Sequence, residues 1–274
     1  MSYLLEVRFR ISHSSCYQYD VPVRLAPHVL RLQPRSGEVQ LLRQRLHVEP
    51  QPLTRAEQTD AAGNVTTHLE FAAETRSLRI ESELELETWP PTPLEAWAGQ
   101  LAPLSPANDT WFHPDVRAFA LELGAGVGFW PVDCLDRLSH ALFARMERYV
   151  RHEGPARPAH ETLALGGGAC RDLTVLFLEA CQVLGLQGRF VSGYQAAAQT
   201  PDGLCHLHAW AEVLLPGVGY RGWDPMHGIR VCDGHVALCA ASTQAATMPV
   251  EGGFYFDGPS VNSTLDHEVR IATD

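Results

Sequence analysis

The chain of 274 residues contains no lysine, so all 21 of its lysine-plus-arginine positions are arginines. Its formal net charge is −11 at pH 7, and the arginines form no basic run. Proteins that bind nucleic acids need a basic surface that neutralises phosphates, so these features argue against a nucleic-acid partner. The chain also offers no lysine amine as an acceptor in acyl-transfer chemistry of its own.

The sequence also lacks the hydrophobic segments that direct proteins into or across membranes. Residues 1–8 contain neither the basic nor the apolar region of a signal peptide. No apolar run approaches the ~18 residues that a membrane-spanning helix needs. We therefore expect a cytoplasmic protein with no membrane partner.

Cysteine pairs are missing as well. The seven cysteines include no Cys-x-x-Cys pair, and an odd number cannot all pair within one chain. This pattern is typical of reduced thiols in a cytosol rather than of a disulfide framework. The hydrophobic fraction of 45% and the charged fraction of 19% are ordinary for a folded globular protein.

The N-terminal third has the alternating pattern of a β-rich domain. Apolar and polar residues alternate over residues 5–11 and 78–87, which predicts strands with one buried face, as in an antiparallel sheet or sandwich. The run Trp89–Pro93 contains prolines that neither a helix interior nor a central strand accommodates. We predict a β-sandwich domain over residues 1–88 and a linker and loop over residues 89–114.

Helical periodicity replaces this alternation in the second part of the chain. Apolar residues recur at three- and four-residue steps from Leu135 onwards, with Asp133 as the predicted N-cap. A second helix follows Cys170; it is apolar nearly all round and ends at Gly185, which predicts a buried central helix. The strands predicted after it are 189–194, 208–215, 220–223, 254–256 and 265–271. We therefore expect an α+β domain over residues 115–274.

Cys170 has the position of a nucleophile. It follows the glycines Gly166–Gly168 and opens the central helix. The positive end of a helix dipole stabilises a thiolate, and an unpaired amide in the first helical turn can donate to an oxyanion. A free cysteine is more often a small buried hydrophobe, so this position alone does not predict catalysis.

His208 and Asp224 are the predicted partners of this thiol. His208 begins one predicted strand and Asp224 ends the next. Residue 216, midway between them, lies in the turn that joins the strands, so antiparallel pairing brings the two side chains together. An aspartate beside an imidazole fixes its tautomer and stabilises the imidazolium. Nucleophile, base and orienting acid are the three groups of a thiol enzyme.

Several motifs carry a resemblance to a known family. They are Gly168–Asp172, Arg189–Tyr194, His208–Val213, Gly222–Pro225 and, in the N-terminal third, Leu30–Arg35 and Gly63–Val65. With them the chain resembles the transglutaminase-like superfamily, which has a papain-like fold. Within it, the chain is similar to a bacterial branch labelled as cysteine proteases, which has an N-terminal β-sandwich leader domain. The resemblance implies a catalytic triad of Cys170, His208 and Asp224.

Two elements depart from the pattern of that branch. Asp224-Pro225-Met226-His227 stands where the branch has Asp-Pro-Thr-Asn, and residues 241–246 replace its Gly-Arg-Asp-Tyr element. Trp210 and Trp223 flank the predicted base and acid. Together with Gly168 they are candidate substrate contacts, the alternative being that the indoles belong to the core.

A metal site is the competing interpretation. His206 and His208 would project from one strand face with Cys205 adjacent, and His227 and His235 are further candidate ligands, but only one compact pair is present. A zinc site normally needs three or four ligands at recognisable spacing, usually in two pairs. The sequence therefore favours a thiol enzyme that requires no metal or cofactor. A metal-dependent hydrolase and a non-catalytic binding module that keeps the fold are the alternatives.

The reaction expected from the triad is acyl transfer. The thiolate attacks the carbonyl of a peptide, protein or small amide substrate, and the resulting thioester yields to water or to an amine. Because the bacterial branch resembles hydrolases more than cross-linking enzymes, we expect hydrolysis, with a protein-glutamine transamidase as the alternative. The oligomeric state is left open.

Overall fold

Strands occupy most of the N-terminal third, as its alternating pattern predicts. The computed structural model describes residues 7–97, 100–109, 111–196 and 204–274. The first strands are β1 (Val7–Leu25), β2 (His28–Leu30), β3 (Gln40–Glu49), β4 (Thr54–Thr59), β5 (Val65–Glu70) and β6 (Glu74–Thr88). Residues 89–93 and 100–109 contain no helix or strand, and a 3-10 turn occupies Leu94–Trp97.

Helices precede a second set of strands in the remainder of the chain. In chain order they are α1 (Pro114–Ala125), α2 (Pro131–Arg145), β7 (Glu147–Arg148), α3 (Ala159–Leu165), β8 (Gly167–Gly168), α4 (Cys170–Val183), β9 (Gly188–Gln195), β10 (His208–Leu215), β11 (Gly219–Asp224), β12 (Ile229–Arg230), β13 (His235–Ala241), β14 (Val250–Glu251), β15 (Phe254–Tyr255) and β16 (Ser263–Thr273). No helix in the described part of the chain is long and apolar enough to cross a membrane.

Two sheets form the N-terminal sandwich. One has the order β15-β1-β6-β3, with β16 also pairing with β1; the other has the order β14-β2-β5-β4. A shared apolar cluster joins the inner faces, drawing Val23 from β1 and Ile80 from β6 on one side and Leu30 and Leu69 on the other. This shared core is the reason that the two sheets pack face to face.

The last strand pairs with the N-terminal sheet, across the predicted domain boundary. Instead of staying with residues 115–274, β16 pairs antiparallel with β1 from Phe9 opposite Thr273 to Tyr19 opposite Ser263. The strands β14 and β15 also pair with N-terminal strands. The partner β6 covers only one edge of β1, and the other edge has backbone groups that need hydrogen bonds. Residues 250–273 therefore complete the N-terminal sheets.

The central helix α4 lies against an antiparallel sheet of order β12-β11-β10-β9-β13. Leu176, Phe177 and Cys181 of this helix share one buried cluster with Ala211 and Val213 of β10. This arrangement confirms the α+β fold class. The helix ends where expected, because Gly185 follows it with a positive φ of 84°.

The predicted cap of α2 is wrong by three residues. The helix begins at Pro131 and its N-cap is Trp130. Proline suits the first position of a helix because its missing N–H would have no partner there. Asp133 lies in the first turn instead, where a carboxylate interacts favourably with the helix dipole.

Two side chains of the sandwich, those of Arg35 and Asn64, make polar contacts with the second sheet. The guanidinium of Arg35 is buried and donates to the Glu212 carboxylate on β10, with Nη1–Oε1 and Nη1–Oε2 distances of 3.0 and 3.2 Å. The Asn64 side chain donates to the carbonyl of Ala240 at 2.9 Å and accepts from its amide at 2.8 Å. Arg35 and Asn64 belong to the two N-terminal sequence motifs, so those motifs hold the two halves of the molecule together.

We predict that Arg35→Met lowers the free energy of unfolding by about 2 kcal/mol, because the Ala62 carbonyl and the Glu212 carboxylate each lose a donor, while Arg189 still pairs with Glu212. Urea unfolding followed by circular dichroism measures the change.

The matched control is Arg45→Met. Arg45 pairs with Glu83 at 3.6 Å, but the two side chains are 62% and 59% exposed, so its loss should cost less than about 1 kcal/mol. Equal effects of the two substitutions would contradict the structural role assigned to Arg35.

Candidate active site

Close packing of glycines shapes the turn that precedes Cys170. Gly166 ends α3 in the left-handed conformation, with φ 65°. A Cβ atom on Gly167 would lie 2.7 Å from the carbonyl oxygen of Glu147, and one on Gly168 would lie 2.7 Å from Cβ of Asp172. Gly168 is therefore buried against the helix that follows, and the prediction that it contacts substrate is not supported by its position.

The carboxylate of Asp172 fixes this turn from inside. It is fully buried and accepts hydrogen bonds from the main-chain amides of Ala169 at 3.0 Å and Arg157 at 2.8 Å. The guanidinium of Arg151 donates to it at 2.6 Å. Burial by itself raises the pKa of Asp172, but these hydrogen bonds and the charge of Arg151 outweigh burial and hold it below its usual range. A charged carboxylate thus anchors the start of α4, the helix whose first residue is Cys170.

His208 and Asp224 meet, as predicted from the hairpin, with Nε2 of the imidazole donating to Oδ2 of the carboxylate at 2.8 Å. The register differs from the prediction. Leu215 pairs with Gly219 and Ala211 with Trp223, so the centre of the hairpin is residue 217 rather than 216. The two side chains are therefore diagonal neighbours on one face of the sheet, a spacing that long side chains bridge.

His208 also faces the thiol of Cys170. Its Nε2 is occupied by Asp224, which leaves Nδ1 for the sulfur. Burial by itself lowers the pKa of His208, but the Asp224 carboxylate and a hydrogen bond with Cys170 raise it to about 10. An imidazolium is therefore held between a carboxylate and a sulfur atom at neutral pH.

Asp224 has more partners than the sequence predicts. Oδ2 also accepts from Nδ1 of His227 at 2.8 Å and from Nε2 of His235 at 3.2 Å, while Oδ1 accepts from the amide of Met226 at 3.0 Å. Burial raises the pKa of this carboxyl, but His208 and the other donors hold it well below its usual range. The short spacing between Asp224 and His227 in the sequence could have indicated their contact. His235 comes from a separate strand, β13, so the sequence offers no such indication for it.

The N-terminal sandwich forms one wall of the cleft that contains Cys170. The cavity has a volume of about 270 Å³. Cys170, Arg171 and His208 line one side of it. The opposite wall comes from β1 and β16 and comprises His13, Ser15, Tyr17, Leu265, His267 and Val269. The sequence prediction, which treats the sandwich as a separate leader, does not include this wall.

Comparison with known proteins finds a family match in each half of the chain. The description "bacterial transglutaminase-like N-terminal region" matches residues 9–87, and "transglutaminase-like superfamily" matches residues 135–226, a range that includes Cys170, His208 and Asp224. Residues 135–226 thus form a transglutaminase-like core. Together the two matched regions cover most of the sandwich and the central helix with its hairpin.

Relatives of this transglutaminase-like chain are similar over nearly their whole length. An uncharacterized protein of Mycobacterium tuberculosis is 26% identical, with 96% of this chain and 92% of that protein aligned. One from Mycobacterium leprae is 22% identical, with 97% and 99% aligned. The crystal structure of a "putative cysteine protease" from Cytophaga hutchinsonii has a TM-score of 0.73 at 15% identity and covers 98% of this chain and 91% of its own. That likeness establishes the shared fold.

Two tryptophans predicted as substrate contacts belong to the interior of the transglutaminase-like core. Trp223 is fully buried, and its Nε1 donates to Asp136 at 2.8 Å. Trp210 is 1% exposed and packs with Val191 and Ala237 on the sheet face opposite α4. Neither lines the cleft that contains Cys170. Strand alternation could not separate a cleft wall from a core, because both faces of this sheet are covered.

Cys205, His206 and His208 are not gathered into a metal site in the transglutaminase-like core. Among the described residues, the groups of three whose ligand atoms lie within 4.8 Å of one another are His208 with Asp224 and His227, and His206 with His152 and His267. In the first group, the carboxylate is already hydrogen-bonded to both rings. The second is a separate cluster at the cleft.

The raised pKa of His208 generates a pH prediction for this transglutaminase-like protein. A group whose pKa is higher in the folded state stabilises the fold fully below its ordinary value, about 6.5, and loses that stabilisation as pH rises through about 10. We expect His208 to be protonated at pH 8, and Asp224→Asn to lower its pKa, because the hydrogen bond with Cys170 then opposes burial without the carboxylate. NMR of ¹⁵N-labelled histidines measures both.

The signal of His208 is assigned as the one missing from the spectrum of His208→Gln. His227→Gln is the control, since it removes another donor to Asp224 and keeps the carboxylate beside His208. An unchanged His208 pKa in Asp224→Asn would show that the carboxylate does not set the charge of this ring.

Proposed function

We propose that the protein is a cysteine hydrolase of amide or peptide bonds in which Cys170 is the nucleophile, His208 the acid–base group and Asp224 the orienting acid. The observation that carries the proposal is the thiol at the start of α4, which opens into a cleft and has the His208–Asp224 pair behind it. The description of the Cytophaga hutchinsonii protein as a "putative cysteine protease" agrees with this proposal.

The proposed reaction begins with the Cys170 thiolate paired with the His208 imidazolium. The imidazolium stabilises the thiolate, which attacks the carbonyl carbon of the substrate amide. The main-chain amide of Cys170, at the first position of α4, donates to the developing oxyanion. His208 then protonates the leaving amine, and a thioester with Cys170 remains.

Water completes the proposed reaction. His208, now neutral, accepts a proton from water as the oxygen attacks the thioester, and the thiolate leaves with the acid product released. Asp224 keeps the imidazole ring in one orientation through both steps. His227 and His235 are positioning residues in this scheme, because they bind the carboxylate rather than the reacting atoms.

The first test compares the reactivity of the seven thiols. Iodoacetamide labelling near neutral pH, read by mass spectrometry, should modify Cys170 fastest, and His208→Ala should slow that labelling at least about tenfold, because the thiolate loses its imidazolium partner.

Cys232 supplies an internal control within the same protein. It is exposed, its Sγ lies 3.7 Å from Nδ1 of His235, and the hydrogen bond with His235 lowers its pKa. His208→Ala should leave Cys232 labelling unchanged, whereas His235→Ala should slow it. If Cys170 reacts no faster than the other six thiols, the nucleophile is misassigned.

The second test measures the reaction. A library of peptide and small-molecule amides should be hydrolysed by the wild-type protein, and Cys170→Ser should lower the rate by at least about 1000-fold, because the hydroxyl is a far weaker nucleophile in this setting. Mass spectrometry of products formed with an added primary amine separates hydrolysis from transamidation. Dominant amine adducts would overturn the hydrolytic assignment and keep the thiol mechanism.

A further inference from the structure

Three histidine rings from separate segments of the chain converge on one side of the cleft. His152 follows β7, His206 precedes β10 and His267 lies on β16. Their ring centroids are 5.6, 6.1 and 6.3 Å apart in pairs. All three rings line the cavity that contains Cys170. The triad does not use them.

We propose that His152, His206 and His267 bind a divalent transition-metal ion of the zinc class at the solvent-exposed part of this cleft. Imidazole nitrogen is a preferred ligand of zinc, and three histidines with an open fourth position form a recognised coordination set. Their ligand atoms lie within 4.8 Å of one another.

Small side-chain rotations suffice to form the site. Ligating nitrogens at about 2.0 Å from a tetrahedral zinc ion lie about 3.3 Å apart, so the rings need to close by at most about 1.5 Å. His152 and His267 are exposed and His206 is half-buried, so the rings lie at the surface and not in the core.

The backbones that carry the three rings are already held in place. The guanidinium of Arg171 donates to the carbonyls of Arg151 at 2.6 Å and Glu153 at 2.8 Å, on either side of His152. An antiparallel bridge pairs Cys205 with Val269, which sets the segment carrying His206 beside β16. His267 is itself paired with Ser15 of β1. A metal ion therefore meets a partly preorganised site rather than three mobile segments.

Occupation of this site has a consequence for the cleft. An ion held by His152, His206 and His267 occupies part of the space that leads to Cys170 and links the segment before β10 to the C-terminal strand. We expect zinc to stabilise the fold and to slow the reaction of Cys170; the second effect rests on the proposed function, and the first does not.

The experiment measures zinc binding in a Cys170→Ser chain, which removes the thiol as a competing ligand. Isothermal titration calorimetry should show one zinc ion per chain, and thermal unfolding should shift upwards with zinc concentration. His267→Gln and His152→Gln, each in that background, should weaken binding at least tenfold. His47→Gln is the control, because His47 is exposed on β3, away from the cluster. This variant should bind zinc with the same affinity as its Cys170→Ser parent.

Cobalt(II) identifies the ligands independently. Coordination by three imidazoles and water gives d–d bands in the visible and no thiolate band, whereas a cysteine ligand adds an intense near-ultraviolet charge-transfer band. That band, or zinc binding equally tight with and without His267→Gln, would overturn the proposed site.

Activity is a separate readout. With Cys170 intact, zinc should slow amide hydrolysis. The rate of each variant is expressed as a fraction of its own metal-free rate, and His267→Gln should need at least tenfold more zinc than the wild type for the same fractional inhibition. Loss of hydrolysis in all forms would reject the proposed function and leave the calorimetric result standing. Zinc inhibition that is equal in wild type and His267→Gln would reject the cluster as the inhibitory site.

Discussion

The buried carboxylate of Asp224 is the group on which the geometry of the site depends. It is withdrawn from water, and an isolated buried charge is too costly to persist without partners. His208, His227 and His235 supply that compensation from three directions. Because the three rings share one acceptor atom, Oδ2, their positions are set together. The ring that faces Cys170 therefore has little freedom to turn away from it.

A second buried carboxylate, that of Asp172, fixes the position of the nucleophile. Asp172 holds the amide of Ala169 and the guanidinium of Arg151, and so fixes the turn from which Cys170 begins α4. A buried carboxylate thus positions each reacting group: Asp172 positions the Cys170 sulfur, and Asp224 positions the His208 imidazole. This arrangement explains why glycines are needed nearby, since a side chain at position 168 would collide with Asp172.

The sandwich is part of the site as well as a neighbour of it. Arg35 and Asn64 attach it to β10 and β13, and β1 and β16 then form the wall that faces Cys170. The sequence resemblance covers the motifs that contain Arg35 and Asn64, but a motif does not reveal which distant strand it touches. These contacts connect residues about 176 positions apart, and local periodicity carries no information at that range.

What the sequence determined by itself is local or follows from motifs: strands from alternation, a buried helix after Cys170 from its apolar faces, and the hairpin that brings His208 to Asp224. The tertiary structure decided which strand edges pair and which faces are covered. In the folded chain, residues 263–273 therefore pair with β1, and Trp210 and Trp223 are buried. His206 lies with His152 and His267 rather than in a site with Cys205. The physical reason is that periodicity reports only that a face is buried, whereas the partner of that face depends on backbone groups and apolar surfaces left unsatisfied elsewhere in the chain.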